Sequence, residues 1–274
     1  MSELDDLHIQ EDFAYKADVA ESLNEHAAGV NLFVYKKLES TNDTAAALAR
    51  KGEPEIAAVI AAEQTKGRGR RGRSFFSPMD TGVYMSLLLR PKFRSEDAAL
   101  LTPAAAVAAA NAIEQTTGAS VGIKWVNDIY ADGKKVCGIL TEAFVLPDGL
   151  CAIVGIGINV AVPCGGFPED IKDKAGAVYF SHDTADVRSR LVAQVINNFV
   201  HIYEHFSERH FVNEYRRRLL FLGEEIIVTN LTTKEVRHAT AVSADNACRL
   251  IVRYANGEEE ALVSGEISVN LRKP

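Results

Sequence analysis

The first 160 residues contain a series of short segments in which apolar side chains alternate with polar ones or run together. Such segments predict β-strands, because successive side chains of a strand point to opposite faces of a sheet. Between them lie alanine-rich segments that open on serine, threonine or aspartate, the residues that cap helices. The pattern predicts strands over residues 32–38, 56–64, 83–89, 121–125, 135–143 and 151–160, and helices over 13–26, 41–52 and 95–118, the last with a break at Thr102-Pro103.

Beyond a loop rich in glycine, proline and aspartate, helical spacing returns between Leu191 and Phe206. Apolar residues recur there every three or four positions, which predicts an amphipathic helix with Thr184 as its cap. Ser207 is expected to cap one more helix, which ends near Phe221.

From residue 223 onward the chain is made of short β-type segments. Asn256-Gly257 stands between two of them and predicts a two-residue hairpin turn. About fifty residues of short strands predict a small barrel, so the chain divides near residue 221. The expected organisation is an N-terminal extension (1–30), a larger α+β domain with a mixed sheet (31–221) and a small β domain (222–274).

The composition is that of an ordinary globular protein, with 47% hydrophobic and 24% charged residues among 274. No apolar run reaches the roughly 18 residues that a membrane-spanning helix needs. The acidic N-terminal residues lack the basic start and apolar core of a signal peptide. We therefore expect a cytoplasmic protein that does not enter the membrane.

Neither the cysteines nor the histidines form a recognisable metal site. The four cysteines are scattered without a C-x-x-C pair, which predicts reduced thiols. Residues 201–205 match the H-x-x-E-H pattern of some zinc peptidases. At about 100° per residue, however, both histidines lie away from the apolar stripe of the predicted helix, and no third ligand is evident. We expect no dedicated metal ligands.

One basic cluster stands out in a chain whose formal net charge is −7. Residues 66–73 carry five positive charges in eight positions, while the overall charge argues against a nucleic-acid-binding protein. Gly67–Gly72 matches G-x-G-x-x-G, but Arg73–Pro78 is no helix start, as the dinucleotide fingerprint requires. Glycines that admit a ligand and arginines that bind carboxylates and phosphates suit a combined site for both anions. A solvated basic turn or an RNA-binding patch is the alternative.

Two further segments combine unusual residue types. Lys124–Asp128 places the single tryptophan between a lysine and an Asn-Asp pair, although a strand that runs into an Asn-Asp turn would look similar. Gly155–Asn159 places two glycines inside a predicted strand. Glycine weakens a strand unless a ligand or another backbone approaches closely, and an ordinary bulge is the alternative.

Together these motifs resemble the biotin protein ligase family, in the type without an N-terminal DNA-binding domain. The motifs occur in the family's order from about residue 35 to 160, and the small C-terminal β domain fits as well. They are Ser40–Asn42, Gln64 with Gly67–Arg73, Lys124–Asp128, Gly138–Glu142 and Gly155–Asn159. The resemblance implies a catalytic domain related to the class II aminoacyl-tRNA synthetases and an SH3-like C-terminal barrel.

The resemblance also implies roles for individual residues, with Arg70 and Lys124 as the catalytic cations. It implies a biotin site formed by Ser40, Thr41, Asn42, Gln64, Gly67, Arg68, Gly69, Arg70 and Lys124. It implies an ATP site formed by Arg70, Arg73, Phe75, Lys124, Asn127 and Asn159. Lys124 is expected between the biotin carboxylate and the α-phosphate, and Asn159 close to the adenine.

Three positions depart from the family's usual pattern. Phe75 stands where the family usually has a tryptophan that packs on the adenine, so less apolar area is available. Val126 replaces a proline, which should loosen the turn without removing a ligand. Asn270 stands where an arginine can reach the nucleotide, with Arg272 two residues later, which puts that contact in doubt.

The implied reaction activates biotin with Mg²⁺-ATP to biotinyl-5′-AMP and then transfers biotin to a carrier lysine. Two anions must approach each other, so cations and positioning matter more than a nucleophile. The expected partner is the biotin carboxyl carrier domain of acetyl-CoA or pyruvate carboxylase, and a homodimer is possible. Lipoate or octanoate ligation and a biotin-sensing regulator are the alternatives. The segment before the first strand has about thirty residues and is acidic overall, which leaves no room for a winged helix, so DNA binding is not expected.

Overall fold

The computed structural model describes residues 10–179, 181, 183–263 and, as backbone only, 267–271. Within them a seven-stranded sheet runs in the order β1-β2-β3-β7-β6-β5-β4. β1 pairs with β2 in parallel and every other neighbouring pair is antiparallel. The strands are β1 (Asn31–Leu38), β2 (Ala57–Gln64), β3 (Gly82–Leu89), β4 (Gly122–Lys124), β5 (Asp128–Ala131), β6 (Lys134–Leu146) and β7 (Gly149–Asn159).

Five α-helices cover the two faces of this sheet: α1 (Phe13–Glu21), α2 (Thr41–Arg50), α3 (Leu101–Thr117), α4 (Ala185–Glu204) and α5 (Phe211–Arg218). Alternate residues of β2 belong to different clusters, because successive side chains point to opposite faces. Ala58 and Ile60 join the larger core, which also contains buried residues of α1, α3, α4 and α5. Val59 and Ala61 join a smaller cluster with α2. Helix α2 is therefore the only α-helix of the described residues in that smaller cluster.

The helix boundaries follow the sequence signals in part. Ser40 caps α2 by accepting a hydrogen bond from the Asp43 N–H, and Gly118 ends α3 in the left-handed conformation. The expected break near Thr102-Pro103 is present, since a 3-10 helix over Ser95–Leu100 precedes α3. Pro103 lies in the first turn of α3, where its missing N–H is tolerated.

Four local predictions were wrong. The segment between 121 and 160 holds four strands, because Asp128–Ala131 forms β5 after the Asn-Asp turn. The first helix ends at Glu21 and not at residue 26. Ser207 lies inside a 3-10 turn, and α5 begins later, at Phe211. Thr184 precedes α4, but its hydroxyl donates to the carbonyl oxygen of Asp80 and does not cap the helix.

The C-terminal region forms a separate five-stranded antiparallel sheet in the order β11-β10-β9-β8-β12. Its strands are β8 (Glu225–Asn230), β9 (Val236–Ala244), β10 (Leu250–Tyr254), β11 (Glu259–Leu262) and β12 (Ile267–Leu271). The predicted hairpin is present, but three residues separate Tyr254 from Glu258, which pair through a backbone hydrogen bond. Gly257 takes φ +84°, as a three-residue turn requires at its last position.

The single tryptophan connects the two sheets. The Trp125 indole N–H donates to the carbonyl oxygen of Cys248 at 2.9 Å, and the ring packs against both the main core and the C-terminal cluster. Within the described residues, no helix is both long and apolar enough to cross a membrane. Asn270 is described only as β12 backbone, and Arg272 lies outside the described residues.

Replacement of Phe199 by alanine tests the larger core. Phe199 is fully buried in α4 and stacks on Tyr203, so Phe199→Ala leaves a cavity. We expect the free energy of unfolding in urea to fall by about 3–5 kcal/mol with an unchanged m-value. Phe13 is 71% exposed, and Phe13→Ala is the control, with an expected change within about 0.5 kcal/mol. Equal losses in the two variants would contradict the assignment of Phe199 to the core.

Candidate functional site

Two glycines of β7 leave room for side chains to reach the sheet. A Cβ at Gly155 would lie 2.1 Å from the Asn42 Oδ1, and one at Gly157 would lie 2.6 Å from Cε1 of Phe75. Real Cβ atoms do not come so close to other heavy atoms, so a side chain at either position would force Asn42 or Phe75 to move. These strand glycines therefore mark the place where α2 and the glycine–arginine loop approach the sheet, as the sequence indicated.

The first residues of α2 form a buried polar cluster. Ser40, Thr41 and Asn42 are each at most 5% exposed. The backbone N–H of Thr41 donates to Gln64 Oε1 at 2.8 Å. The hydroxyl oxygen of Ser86 lies 2.8 Å from Thr41 Oγ1 and 2.6 Å from Asn42 Oδ1. Ser86 was not predicted, because a serine inside an apolar strand gives no signal of its own.

The glycine–arginine loop is a tight hairpin. The Gly69 N–H donates to Arg73 O at 2.7 Å, and the Phe75 N–H donates to Gly67 O at 2.8 Å. A Cβ at Gly67 would lie 2.3 Å from Phe75 O, so this position needs glycine. The loop leads through Ser77 into β3 without an α-helix, in agreement with the rejection of the dinucleotide fingerprint.

Two arginines of the loop have different surroundings. Arg68 donates to Asp43 Oδ1 and to Glu142 Oε1, each at 2.6 Å. Burial alone would lower the pKa of Arg68, but these two carboxylates outweigh it and raise the pKa. Arg70 instead donates to the neutral Asn127 Oδ1 at 2.8 Å, and burial lowers the pKa of its guanidinium. Arg70 is thus a partly desolvated cation that faces the site.

Residues 125–127 hold Arg70 in place. The Asn127 side chain donates to Ile139 O at 3.0 Å, and the Ile139 N–H returns a bond to Asn127 O at 3.0 Å. The buried Tyr215 hydroxyl donates to Val126 O at 3.0 Å. With the Trp125 bond to the C-terminal sheet, these contacts fix the turn from three sides. The turn contains Val126 and remains well anchored.

Two lysines near Asp128, Lys124 and Lys135, have different neighbours. Lys135 Nζ lies 2.6 Å from Asp128 Oδ1, and Lys135 lines the central cavity. Lys124 Nζ lies 5.9 Å from the centre of the Tyr130 ring, and burial lowers the pKa of this amine. The sequence analysis missed Lys135. Its position three residues before Gly138, in the glycine-containing strand that the sequence predicts over 135–143, is the signal that could have found it.

These elements enclose a central cavity of about 50 Å³ between α2, the loop and the sheet. Nine predicted residues line it: Ser40, Thr41, Asn42, Gln64, Arg68, Gly69, Arg70, Phe75 and Asn127. Lys135, Met85 and the strand segments 138–140 and 155–157 complete the lining. Hydroxyl and amide groups thus line the α2 end of the cavity, and the cations Arg70 and Lys135 line the end beside Asn127 and Asp128.

Four predicted residues lie outside this lining. Gly67 packs against the backbone of its own loop, and Arg73 is exposed. Lys124 lies beside Tyr130. The Asn159 amide donates to Gly176 O at 2.9 Å, so it anchors the following loop.

A second cavity, of about 220 Å³, lies beside the first, and Arg70 lines both. Its other lining residues are Ala98, Ala99, Thr102, Val126, Thr141 and Ala143. The Thr102 hydroxyl donates to the Thr141 hydroxyl at 2.8 Å, which joins the 3-10/α3 region to β6. Arg70 therefore belongs to the lining of both the central cavity and this second, outer cavity.

No metal site is evident among the described residues. They contain no group of three or more His, Cys, Asp and Glu side chains that could hold an ion. His201 and His205 are exposed, with their ring centres 5.0 Å apart.

The chain is similar to known ligases. Residues 34–159 match the model of the Biotin/lipoate A/B protein ligase family, and residues 221–269 match that of the Biotin protein ligase C terminal domain. The bifunctional ligase/repressor BirA of Bacillus subtilis is 41% identical over 161 residues, which are 58% of this chain and 50% of that protein. The chain thus spans about half the length of this relative.

Two further relatives are matched almost from end to end. The biotin protein ligase from Aquifex aeolicus, solved in complex with biotin and ATP, superimposes with a TM-score of 0.72 at 28% identity, over 88% of this chain and 99% of that one. The biotin--[acetyl-CoA-carboxylase] ligase of Paracoccus denitrificans is 32% identical over 234 residues, which are 81% of this chain and 94% of that protein. This chain therefore belongs to the biotin protein ligase family.

Proposed function

We propose that this protein activates biotin with ATP to biotinyl-5′-AMP and transfers the biotinyl group to a lysine of a biotin carboxyl carrier domain. The observation that carries the proposal is the division of the central cavity into a neutral polar end and a cationic end. A ligand with a hydrogen-bonding ring at one end and a carboxylate at the other fits this division. Biotin, with its ureido ring and valerate chain, is such a ligand.

The neutral end would bind the ureido ring. Ser40, Thr41, Asn42 and Gln64 supply hydroxyl and amide groups that both donate and accept hydrogen bonds. Their mutual bonds, together with Ser86, hold them in fixed orientations before a ligand arrives. A prearranged set of this kind binds one polar ring without the cost of ordering its side chains.

The cationic end would bring two anions together. A biotin carboxylate oxygen attacks the α-phosphorus of ATP, the bond to the bridging oxygen of pyrophosphate breaks, and pyrophosphate leaves. Arg70 and Lys135 would offset the charge that collects on the carboxylate and phosphate oxygens, because partly desolvated cations act strongly on such charge. Lys124 and Arg73 add positive charge outside the cavity lining, near Lys135.

In the second step the carrier lysine amine attacks the acyl carbon of the mixed anhydride. A C–N bond forms, the bond between the acyl carbon and the AMP oxygen breaks, and the amine loses a proton. No covalent intermediate with the protein is needed. Arg70, which lines both cavities, would stand where the amine and the activated acid meet.

The nucleotide would extend toward Phe75 and the β7 glycines. Phe75 lies against Gly157 and close to Gly138, so its ring covers this part of the sheet. Asn127 would contact the phosphate–ribose portion, and we retain Asn159 near the adenine, where it would act through the loop that it anchors. Magnesium would be held mainly by the ATP phosphates and water, as is usual for this ion.

The carrier domain would approach the outer cavity along an open strand edge. Residues 10–12 pair with the free side of β1, and Leu219–Leu220 with that of β4. β5 pairs with β6 only as far as Gly138. The N–H of the next residue, Ile139, donates to the carbonyl oxygen of Asn127. The β6 edge from Thr141 to Leu146 has no neighbouring strand among the described residues, and it borders the outer cavity.

We propose acetyl-CoA or pyruvate carboxylase as the source of the carrier domain. The alternative oligomeric states of the protein are a monomer and a homodimer.

The finer assignment of the fold is also a proposal. The order of the five short C-terminal strands around one apolar cluster supports an SH3-like barrel. The mixed seven-stranded sheet supports a relation to the class II aminoacyl-tRNA synthetase core. Separate sheets support a boundary near residue 221, between a catalytic domain at 31–221 and a C-terminal domain at 222–274, with the N-terminal extension at 1–30.

The activity is tested by mass spectrometry after incubation of the protein with Mg²⁺-ATP and one acid. We expect biotinyl-adenylate with biotin and no adenylate with lipoate or octanoate, because the polar end of the cavity suits a ureido ring. Formation of adenylate with lipoate alone would make lipoate the substrate in place of biotin, while the adenylation reaction would stay as proposed. Absence of any adenylate, with biotin still bound in calorimetry, would favour a biotin-sensing regulator.

Glycine 155 provides a test of the site's geometry. Gly155→Ala places a methyl group against Asn42, which must move, so we expect biotin affinity in calorimetry to fall by about 100-fold or more, the scale of a lost set of buried hydrogen bonds. Gly29→Ala is the matched control, since a Cβ there meets nothing within 4 Å. Unchanged affinity in Gly155→Ala would place the ureido ring elsewhere.

A comparison of Lys135→Met with Lys124→Met assigns the catalytic lysine. We expect Lys135→Met to lower kcat/KM for adenylation by about 100-fold, the usual cost of one preorganised charge-stabilising group. Lys124→Met should lower it by about tenfold, because this lysine lies beside Tyr130 and outside the cavity lining. The rate is followed as pyrophosphate release. The opposite order of effects would return the central role to Lys124.

A further inference from the structure

Arg68 lines the central cavity and makes two ion pairs with other parts of the chain. One end of its guanidinium bonds Asp43 on α2, and the other bonds Glu142 on β6. The arginine itself belongs to the glycine–arginine loop. Three separate parts of the chain therefore meet at one side chain.

Glu142 connects this junction to the polar cluster inside the site. Its Oε1 accepts from Arg68 and its Oε2 accepts from the Asn42 amide at 2.9 Å. The same Asn42 lies against Ser86 and Gly155. A displacement of Arg68 would therefore disturb Glu142 and, through it, Asn42, which we assign to the ureido ring.

The charges argue against Arg68 as a ligand of phosphate or carboxylate. Both terminal nitrogens of its guanidinium already face carboxylates at 2.6 Å. A substrate anion would have to displace one of these partners and would then lie beside the remaining carboxylate. Arg70, whose partner is a neutral amide, meets no such competition.

We propose that Arg68 is a positioning residue that latches the glycine–arginine loop over the cavity through Asp43 and Glu142, and so slows the escape of a bound acyl-adenylate. The effect on adenylate release rests on the proposed function. The latch itself is a property of the free protein and does not depend on that function. Its members are partly exposed, so its strength is modest and falls as salt increases.

Limited trypsin digestion of the free protein tests the latch without any substrate. Arg70, Arg71 and Arg73 provide cleavage sites in the loop, and Arg71 is exposed. We expect Asp43→Asn and Glu142→Gln to raise the rate of loop cleavage about two- to fivefold, the factor that corresponds to an exposed ion pair. Arg68→Gln should be cleaved at least as fast, and addition of Asp43→Asn to it should have no further effect.

Glu39→Gln is the matched control. Glu39 pairs with Lys66 Nζ at 2.7 Å at the base of the same loop but does not reach across the cavity. Its cleavage rate should equal that of the wild type, and thermal unfolding should be unchanged in every variant compared. Wild-type cleavage rates in Asp43→Asn and Arg68→Gln, or an equal increase in Glu39→Gln, would overturn the latch.

The second measurement follows the release of preformed biotinyl-adenylate by rapid dilution. We expect Asp43→Asn and Arg68→Gln to release it faster by a similar factor, while Asp43→Asn forms adenylate from saturating substrates at a rate within about twofold of the wild type, because Asp43 does not line the cavity. A large fall in the rate of formation by Arg68→Gln without faster loop cleavage would instead make Arg68 a phosphate ligand. If the wild type forms no adenylate, the proposed function fails, and the trypsin result still decides the latch.

Discussion

The Asn42 carboxamide is the contact on which the geometry of the site depends. Its oxygen lies against Ser86 of β3, its nitrogen donates to Glu142 of β6, and both fit because Gly155 of β7 has no side chain. Three neighbouring strands and the start of α2 therefore share one small polar group. Buried polar groups of this kind are costly unless every partner is present, so the four elements constrain one another.

Within the described residues, the turn at residues 125–127 connects the C-terminal sheet to the site. Trp125 is bonded to that sheet, Val126 is held by Tyr215 of α5, and Asn127 holds Arg70. The small C-terminal sheet thus contributes to the position of Arg70, which we propose as a catalytic cation.

The sequence predicted the elements that carry strong local signals and missed those that depend on pairing. The alternation in β1 and the cap at Ser40 are local, and both were found. Strand β5 is four residues long and exists because β4 and β6 flank it, so no periodicity could reveal it. Likewise, the chemistry of the loop arginines placed them in the site, whereas Lys135 and Ser86 became visible only when the sheet brought Lys135 to the cavity and Ser86 against Thr41 and Asn42.

The hydrogen bond between Trp125 and Cys248 makes the intrinsic tryptophan fluorescence of the protein sensitive to the contact between the two sheets. The chain has a single tryptophan, and its indole lies between the two sheets with its N–H bonded across them. Separation of the sheets would expose the ring to water and shift its emission to longer wavelength, whereas changes confined to the outer helices would leave it in place. Intrinsic fluorescence therefore monitors the interface between the two sheets, without any added label.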